Sequence, residues 1–369
     1  MKKIIIFNAG SFLYGAERGL INLVKAIKGK FYITVVLSKK GPLEEKLKNI
    51  SVNIDVKIFP LPILVASFSP FYIVKTILFS ILSFIYFIPY VIFRKTDTIV
   101  TNSLILFFPA IISKITNKKH IWYIREFTAS KFLNKILGLF IKAFSSRIIC
   151  QSEIINDKLG IKNKAGVVYE PLDSDDYKIY DYFLVRKEFG FPDSSKIVSI
   201  ISRIHPSKGQ YEFIKKFQNI LVKRKDIFLL IVGDISCLTA GSRRYKRKIK
   251  EIIRKNNLKN VLLLGYRADV DRILSLSDIC VFPFRRDEPF GIAVAEALAF
   301  GKKTFYPKRG GLKEVYKIFG SGEDLTAGGV SKALFSLESG RPRGMDKLYI
   351  PDILSFKVYQ DKITGIIGQ

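Results

Sequence analysis

Short apolar runs alternate with helical stretches along most of this chain, and this alternation constrains the fold more than any other feature of the sequence. Runs such as 3–7, 33–37, 99–101 and 120–124 are rich in Ile, Val and Thr and have the length of buried strands. Strands that alternate with helices form parallel sheets, because each parallel connection needs a crossover. The alternation therefore predicts an α/β protein.

The alternation is interrupted once, at residues 170–183. This stretch (EPLDSDDYKIYDYF) is acidic and rich in turn formers, which is typical of a linker between domains. A chain of 369 residues is also long enough for two cores. We therefore expect two Rossmann-like domains that face each other across a cleft, at residues 1–170 and 171–350. A carboxy-terminal helix within 351–369 is expected to pack back on the first domain.

The charge balance is strongly basic. Lys and Arg number 61 against 32 Asp and Glu, a formal charge of +29. Such an excess favours a polyanionic partner, either an anionic membrane surface or a phosphorylated substrate. The basic residues are scattered singly along the chain and do not form one basic segment of the kind that binds nucleic acid. Nucleic acid is therefore not an expected partner.

Cysteine and histidine usage excludes several classes of site. Cys150, Cys237 and Cys280 lie far apart, and there are only two histidines. This pattern excludes a disulfide framework and a zinc knuckle, and it fits the reducing cytoplasm.

The apolar segment 71–93 contains a stretch, residues 76–93, of marginal length for a membrane span. Its last 18 residues, TILFSILSFIYFIPYVIF, carry no charge. A single span would place residues 1–75 and 94–369 on opposite sides of a membrane and would split the predicted sheet. We therefore expect an interfacial helix of a peripheral protein at the cytoplasmic membrane face. A helix buried on all sides in the core is the alternative.

Residues 202–213 (SRIHPSKGQYEF) combine a strand end with a helix start. Ser207 and Gln210 have the spacing of a capping box, so a helix is expected to open there. Arg203 and Lys208 then lie at the strand end and in the first helical turn, where free amides favour an anion. Two cations at that point suit a diphosphate; two solvated surface cations are the alternative.

Residues 287–302 (DEPFGIAVAEALAFGK) contain two carboxylates separated by seven residues. A helix is expected at 291–300, and Glu296 is its one polar residue. Since an unpaired buried charge is costly, Glu296 needs a partner, either the hydroxyls of a sugar or ribose or a nearby Lys. Glu288 precedes the helix, at the edge of the sheet where ligands of open α/β sheets bind.

A glycine pair, Gly310 and Gly311, stands just ahead of a further helix in KRGGLKEVY. Without side chains, these residues let backbone amides approach a phosphate or a sugar ring closely. We count both as candidate substrate-binding residues.

Taken together, these stretches resemble the glycosyltransferases of GT-B fold, specifically family four. EPFGIAVAEALAFGK is similar to the family's E-x7-E donor-binding signature, and SRIHPSKG to its Gly/Ser-Arg-x-x-x-x-Lys-Gly segment. Three further landmarks resemble those of the family in the same order: YGAERGL at 14–20, LLIVGD at 229–234 and RGGLKE at 309–314.

The resemblance implies roles for the residues around the diphosphate and the sugar. Arg203 and Lys208 would neutralise the donor diphosphate. Glu288 would bind hydroxyls of the donor sugar, beside backbone groups of Phe290 and Gly291. We treat Arg203, Lys208 and Glu288 as the candidate catalytic residues.

The resemblance also implies further substrate-binding residues. Glu296 would bind the nucleotide ribose, and Gly15 would face the donor phosphates across the cleft. Tyr14 stands where the family usually has the first glycine of a pair. Arg125 and Glu126 are also candidate substrate-binding residues. They stand where many members have His-Asp, so a His-based role in that loop is not expected.

As a whole, the resemblance implies a retaining glycosyltransferase. It would move a sugar from a UDP- or GDP-linked donor to a lipid-linked saccharide acceptor, in the assembly of lipopolysaccharide or capsule, without a metal or other cofactor. Two alternatives remain open. One is a nucleotide-sugar epimerase on the same fold, which would need an acid/base pair that the sequence does not show. The other is a non-catalytic module that binds a membrane surface.

Overall fold

The computed structural model describes residues 1–12, 15–63, 70–162, 164–235, 240–336 and 347–368. Tyr14 and Cys237 lie outside the described residues. The chain divides into two compact units, Met1–Pro171 with Asp352–Gln369, and Leu172–Pro351. Each unit is built on a parallel sheet with helices, so the α/β fold expected from the sequence is confirmed.

The first sheet, in the described residues, has seven strands in the order β3-β2-β1-β4-β5-β6-β7. All of its pairings are parallel. The strands are β1 (Lys2–Asn8), β2 (Phe31–Leu37), β3 (Ile54–Ile58), β4 (Thr98–Thr101), β5 (Lys119–Ile124), β6 (Arg147–Cys150) and β7 (Ala165–Val167). The helices are α1 (Gly15–Ile27), α2 (Pro42–Lys48), α3 (Pro70–Phe93), α4 (Phe108–Ile115), α5 (Lys131–Phe144), α6 (Glu153–Leu159) and, from the end of the chain, α14 (Phe356–Gly368).

Alternate residues of β1 face two different cores, as expected for a strand covered on both sides. Ile4 and Ile6 pack in a core with residues of α1, α2 and α14. Ile5 and Phe7 pack in a second core with residues of α3 and α4. Residues 4–7 of the strand are therefore all apolar rather than alternating.

Helix α14 belongs to the first unit. Tyr359, Ile363 and Ile367, one helical turn apart, are buried in the core that contains α1. At the end of α14, Lys2 Nζ donates to Gly368 O at 2.9 Å and Lys119 Nζ donates to the carbonyl of Ile366 at 3.1 Å. Cations at the carbonyl end of a helix satisfy groups that lack partners within the helix.

The second sheet, again in the described residues, has six parallel strands in the order β10-β9-β8-β11-β12-β13. The strands are β8 (Lys196–Ile201), β9 (Ile227–Val232), β10 (Val261–Gly265), β11 (Ile279–Val281), β12 (Lys303–Tyr306) and β13 (Glu323–Asp324). The helices are α7 (Tyr182–Glu188), α8 (Gln210–Lys223), α9 (Ala240–Lys255), α10 (Val270–Leu276), α11 (Ile292–Ala299), α12 (Leu312–Phe319) and α13 (Ala327–Ser336).

Helix α3 contains the apolar segment 71–93 and is mostly exposed. Ser83, Phe87 and Val91 face the core, but only 17% of its most apolar 18-residue stretch is buried. By length and composition, α3 is the one described helix that could cross a membrane. Burial on all sides, the core-helix alternative, is therefore wrong. Large apolar side chains are exposed along the other faces of α3: Phe71, Ile73, Val74, Ile77, Leu78, Ile81, Ile85 and Phe93.

Helix α5 also exposes large apolar side chains. It contacts α4, which in turn contacts α3. Four of its large apolar side chains are exposed: Phe132, Leu133, Ile136 and Leu139. Basic residues on the same helix, Lys131, Lys135 and Lys142, stand beside them. We call the exposed side chains of α3 and α5 together the apolar surface of the first unit.

Asp278, just before β11, is the centre of a buried polar cluster in the second unit. Its carboxylate accepts hydrogen bonds from the Arg186 guanidinium at 2.5 Å, the Ile197 amide at 2.6 Å and the Tyr182 hydroxyl at 2.5 Å. The Arg186 guanidinium also lies 4.0 Å from the centre of the Tyr182 ring. Burial, followed by the bond to Asp278, raises the pKa of Tyr182. The cluster joins the residues after the linker to the start of two central strands.

Removing the cation from this cluster should destabilise the fold. We expect Arg186→Met to lower the free energy of unfolding by about 3–5 kcal/mol, because Asp278 would remain buried without its partner charge. Urea denaturation measures the change. Arg224→Met, which breaks the partly exposed pair with Asp226, is the matched control and should cost at most about 1 kcal/mol. Equal losses in the two variants would contradict this account.

Candidate functional site

The strand order of the second sheet reverses direction at β8. The chain runs from β8 to β9 and β10 on one side, and β11 lies on the other side of β8. The loops after β8 and β11 therefore diverge at the carboxyl edge, and ligands of open α/β sheets bind at such switch points. Backbone hydrogen bonds connect the loops at this edge. The Arg285 amide, after β11, donates to Ser207 O, after β8, at 2.8 Å, and the Gly311 amide, after β12, donates to Glu288 O at 2.9 Å.

Lys208 and Glu288 meet at this point. Lys208 Nζ donates to Glu288 Oε2 at 2.7 Å, and their side chains are only 13% and 14% exposed. The ammonium also lies 4.4 Å from the centre of the Phe284 ring, a cation–π distance. Burial lowers the pKa of Lys208, and the charge of Glu288 opposes this shift. The predicted diphosphate-binding cation and the predicted sugar-binding carboxylate thus form one ion pair.

Arg203 lies near this pair but is exposed at the end of β8. Its charge adds to the lowering of the pKa values of Lys208 and His205. The loop after β8 therefore presents two cations, one held in place by Glu288 and one exposed.

The helix after β8 begins differently from the sequence prediction. Ser207 lies in a short 3₁₀ turn, and α8 starts at Gln210 with Gly209 as its N-cap residue, at φ 75°. A Cβ at Gly209 would lie 1.9 Å from Pro283 O, so only glycine fits there. Gln210 Nε2 instead donates to Ser202 Oγ at 2.9 Å. The predicted capping box is wrong, because close packing against the loop after β11 determines the backbone.

Glu296 is buried, at 3% exposed, in the middle of α11. Its Oε1 accepts a hydrogen bond from the Tyr177 hydroxyl at 2.7 Å. This bond is a third possibility beside the two that the sequence analysis considered, a ligand hydroxyl and a lysine. Tyr177 lies in the linker, outside the motifs that the sequence analysis quoted, and neither spacing nor composition singles it out.

The glycines of the second unit are explained largely by packing. A Cβ at Gly311 would lie 2.1 Å from Pro289 O, and one at Gly310 would lie 2.9 Å from the Asp287 Cβ. Gly291 has φ 96°, and a Cβ there would meet Leu312 at 2.4 Å. Close packing at Gly291 and at the pair Gly310 and Gly311 thus fixes the position of the loop that carries Glu288.

Phe290 is buried beside this loop, at 1% exposed. Its side chain therefore belongs to the core, and only its backbone is available for the role that the resemblance implies.

In the first unit, Arg125 is held in a buried network at the carboxyl edge. Its Nε pairs with Glu170 Oε2 at 3.2 Å, and its Nη2 donates to Gly19 O at 2.8 Å. Its Nη1 donates to Asn102 Oδ1, and Asn22 Nδ2 donates to Glu170 Oε1 at 2.9 Å. Arg125 thereby joins the ends of three strands to α1, which is a structural role that the sequence analysis did not foresee.

Glu126 and Gly15 lie at the same edge as Arg125. Glu126 is exposed and accepts a hydrogen bond from the Leu104 amide at 3.3 Å. Gly15 is the first residue of α1, and a Cβ there would meet no described atom within 4 Å. Unlike Gly291, Gly310 and Gly311, Gly15 is therefore not required by packing.

Helix α9 is a basic feature that the sequence analysis missed. Between Arg243 and Lys255 it carries eight Lys or Arg residues and one acidic residue, Glu251. Tyr245, Ile249 and Ile252 face the core, so the cations lie mostly on the exposed side. The sequence shows this cluster of basic residues as RRYKRKIKEIIRK. It was overlooked because basic residues are frequent along the whole chain.

Residues 182–323 match the family model described as glycosyl transferases group 1. The matched segment contains Arg203, Lys208, Glu288 and Glu296.

Curated relatives are similar over part of the chain. A lipopolysaccharide 1,2-N-acetylglucosaminetransferase of Salmonella typhimurium is 24% identical over 132 residues, 35% of each chain. A GDP-mannose-dependent monoacylated alpha-(1-6)-phosphatidylinositol monomannoside mannosyltransferase of Corynebacterium glutamicum is 31% identical over 142 residues, 36% of this chain and 35% of that protein. The aligned regions thus span about a third of the length of these relatives.

Similarity to a solved structure extends over the whole chain. HepE of Anabaena, solved in complex with UDP and glucose, matches 100% of both chains with a TM-score of 0.79 and 19% sequence identity. At this identity the likeness concerns the fold alone. The chain therefore has the GT-B fold, and its residues 182–323 are similar to the glycosyl transferases group 1 family.

Proposed function

We propose that this protein is a retaining glycosyltransferase that transfers a sugar from a nucleoside diphosphate sugar to a lipid-linked saccharide acceptor in the assembly of a cell-surface polysaccharide. The observation that carries the proposal is the Lys208–Glu288 pair, at 2.7 Å, at the switch point of the second sheet. The Lys208 ammonium suits a diphosphate, and the Glu288 carboxylate suits sugar hydroxyls. In a nucleoside diphosphate sugar the diphosphate is bonded directly to the sugar, so a donor site needs these two groups side by side.

The reaction needs a bond broken at the diphosphate and a bond formed at the acceptor. The bond between the sugar's anomeric carbon and the diphosphate oxygen breaks, and the acceptor oxygen bonds to that carbon. The acceptor proton passes to the departing diphosphate oxygen. Lys208 and Arg203 stabilise the negative charge that develops on the diphosphate, and such electrostatic stabilisation is usually the largest contribution to catalysis.

Glu288 has a second part in this scheme. Its pairing with Lys208 fixes the direction of both side chains before the donor arrives, and the backbone around Glu288 is fixed by Gly311. A preorganised carboxylate can then accept hydrogen bonds from sugar hydroxyls without a cost for reorientation. Glu296, one helix turn beyond the start of α11, is the proposed partner of the ribose.

The names of similar proteins support this choice of donor. HepE of Anabaena was solved with UDP and glucose, and the relative in Corynebacterium glutamicum is described as GDP-mannose-dependent. We therefore propose UDP or GDP as the nucleotide. The relative in Salmonella typhimurium is named for lipopolysaccharide, which supports a saccharide acceptor.

The apolar surface of the first unit supports an acceptor presented at a membrane. Helices α3 and α5 expose apolar side chains with lysines beside them, and stable surface binding needs both apolar insertion and basic attraction. We propose a peripheral protein at the cytoplasmic face of the membrane.

The donor site is tested by changing its two paired charges. Glu288→Gln and Lys208→Ala should each reduce turnover by roughly 10²-fold or more, as expected when one group that stabilises the transition state is lost. Lys208→Ala should also weaken nucleotide binding. Turnover and the thermal shift with UDP and GDP are the measurements; a nucleotide at ~100 times its dissociation constant adds about 2.7 kcal/mol of stability.

Lys303→Ala is the matched control for this experiment. It breaks an exposed ion pair with Glu323 in the same unit. Lys303 is the first residue of β12, so it lies at the amino ends of the strands, whereas the site lies at their carboxyl ends. We expect activity near that of the wild type. Full activity in the Glu288 and Lys208 variants would exclude the proposed donor site.

Activity should not depend on a metal ion. In this proposal Arg203 and Lys208 neutralise the diphosphate, which is the work that a divalent cation does in other phosphate sites. We expect unchanged transfer rates after dialysis against EDTA, measured with and without added Mg²⁺ or Mn²⁺. A strict requirement for either ion would contradict the assignment of this role to the two side chains.

The membrane proposal is tested at exposed positions, which leaves the core residue Phe87 untouched. Replacing Ile81, Ile85, Phe132 and Ile136 with Ser should reduce sedimentation with anionic vesicles, because the apolar insertion is lost. High salt should release part of the wild-type protein, since charge attraction is screened.

Leu184 and Val222 provide the matched control for the membrane experiment. They are exposed aliphatic residues of the second unit, and Ser at both should leave sedimentation unchanged. Undiminished sedimentation of the four-residue variant would exclude the apolar surface as the membrane contact. Nucleotide binding should be the same in all variants.

A further inference from the structure

The bond between Tyr177 and Glu296 connects the linker to the proposed nucleotide site. The Tyr177 hydroxyl donates to Glu296 Oε1 at 2.7 Å, and the ring packs edge-on against Phe300 at 5.9 Å between ring centres. The tyrosine is therefore held at both its polar and its apolar end.

The backbone that follows Tyr177 is fixed to the same unit. The Lys178 amide donates to Asp271 Oδ2 at 3.1 Å, and the Tyr180 amide donates to Ser275 Oγ at 3.1 Å. Both acceptors lie in α10. Because the linker is anchored to α10 directly after Tyr177, the direction of the hydroxyl is set by the fold of the second unit.

A buried carboxylate needs such a donor. Glu296 is 3% exposed and is surrounded in α11 by apolar residues, so its charge is stabilised by the few polar groups that reach it. A hydrogen bond to a charged acceptor is stronger than one between neutral groups, and it fixes the plane of the carboxylate. The remaining acceptor positions of a carboxylate can then receive hydroxyls of a ligand in a fixed geometry.

We propose that Tyr177 is a positioning residue for nucleotide recognition: it orients Glu296 toward the ribose hydroxyls. This inference rests on the proposed function, in which Glu296 binds the ribose. It makes the linker part of the nucleotide site, and it assigns the discrimination between a ribonucleotide and a deoxyribonucleotide to the Tyr177–Glu296 pair.

The test compares ribonucleotides with deoxyribonucleotides. Dissociation constants of UDP and GDP, and of their 2′-deoxy and 3′-deoxy forms, are measured by calorimetry for the wild type and for Tyr177→Phe. We expect the wild type to bind the ribose form more tightly. In Tyr177→Phe, ribonucleotide affinity should fall by about tenfold and the preference for the ribose form should largely disappear, because Glu296 is no longer held in place.

Turnover supplies a second measurement. The KM for the donor should rise in Tyr177→Phe while kcat changes little, because the ribose lies away from the bond that breaks. The ratio between ribose and deoxyribose affinities is taken within each variant, so a loss of stability does not alter it.

Tyr182→Phe is the matched control. Tyr182 lies near the end of the same linker and also donates its hydroxyl to a carboxylate, that of Asp278. It should lose stability but keep the affinity and the ribose preference of the wild type.

Three outcomes would overturn the inference. Unchanged affinity in Tyr177→Phe would show that the hydroxyl has no part in recognition. Tighter binding would show that Tyr177 competes with the ribose instead of orienting its partner. Weaker binding with an unaltered ribose preference would show a merely structural role. If the wild type binds none of the nucleotides, the proposed function fails and this inference fails with it.

Discussion

Parallel pairing of β8 with β11 is the constraint on which the donor site depends. In a parallel sheet every strand ends at the same edge, so the loops that follow β8, β11 and β12 leave the sheet side by side. Lys208 and Glu288 are 80 positions apart in the sequence, yet this arrangement brings their charges to 2.7 Å. Three glycines, at 209, 310 and 311, allow the loops to pack so closely.

Buried charged side chains are stabilised by different partners in different parts of the molecule. Arg186 and Asp278 form a pair that is completed by backbone and tyrosine donors, and Arg125 and Glu170 are completed by asparagines and a carbonyl. These clusters leave little capacity for a ligand and stabilise the fold. Glu288 and Lys208 are partly exposed at a switch point instead, which is the difference between a structural pair and a candidate site.

Strand positions and the main site residues could be predicted from the sequence because they depend on local patterns. Apolar runs of the right length identified most strands, and the spacing of Glu288 and Glu296 singled out the loop and helix after β11. Strand β3 was missed, because Asp55 and Lys57 alternate with its apolar residues at the sheet edge. The N-cap at Gly209 and the Tyr177 bond could not be predicted, since both depend on groups distant in sequence.

Helix α14 has a consequence for the order in which the protein can fold during synthesis. Tyr359, Ile363 and Ile367 fill part of the first unit's core, and Lys2 and Lys119 bind the carbonyls at the helix end. A ribosome releases these residues after the entire second unit, whose sheet is built from one continuous stretch of chain. Domains usually complete themselves in the order of their synthesis. Here the first unit must wait, with the apolar side chains beside α1 uncovered, for residues that are made after the second unit.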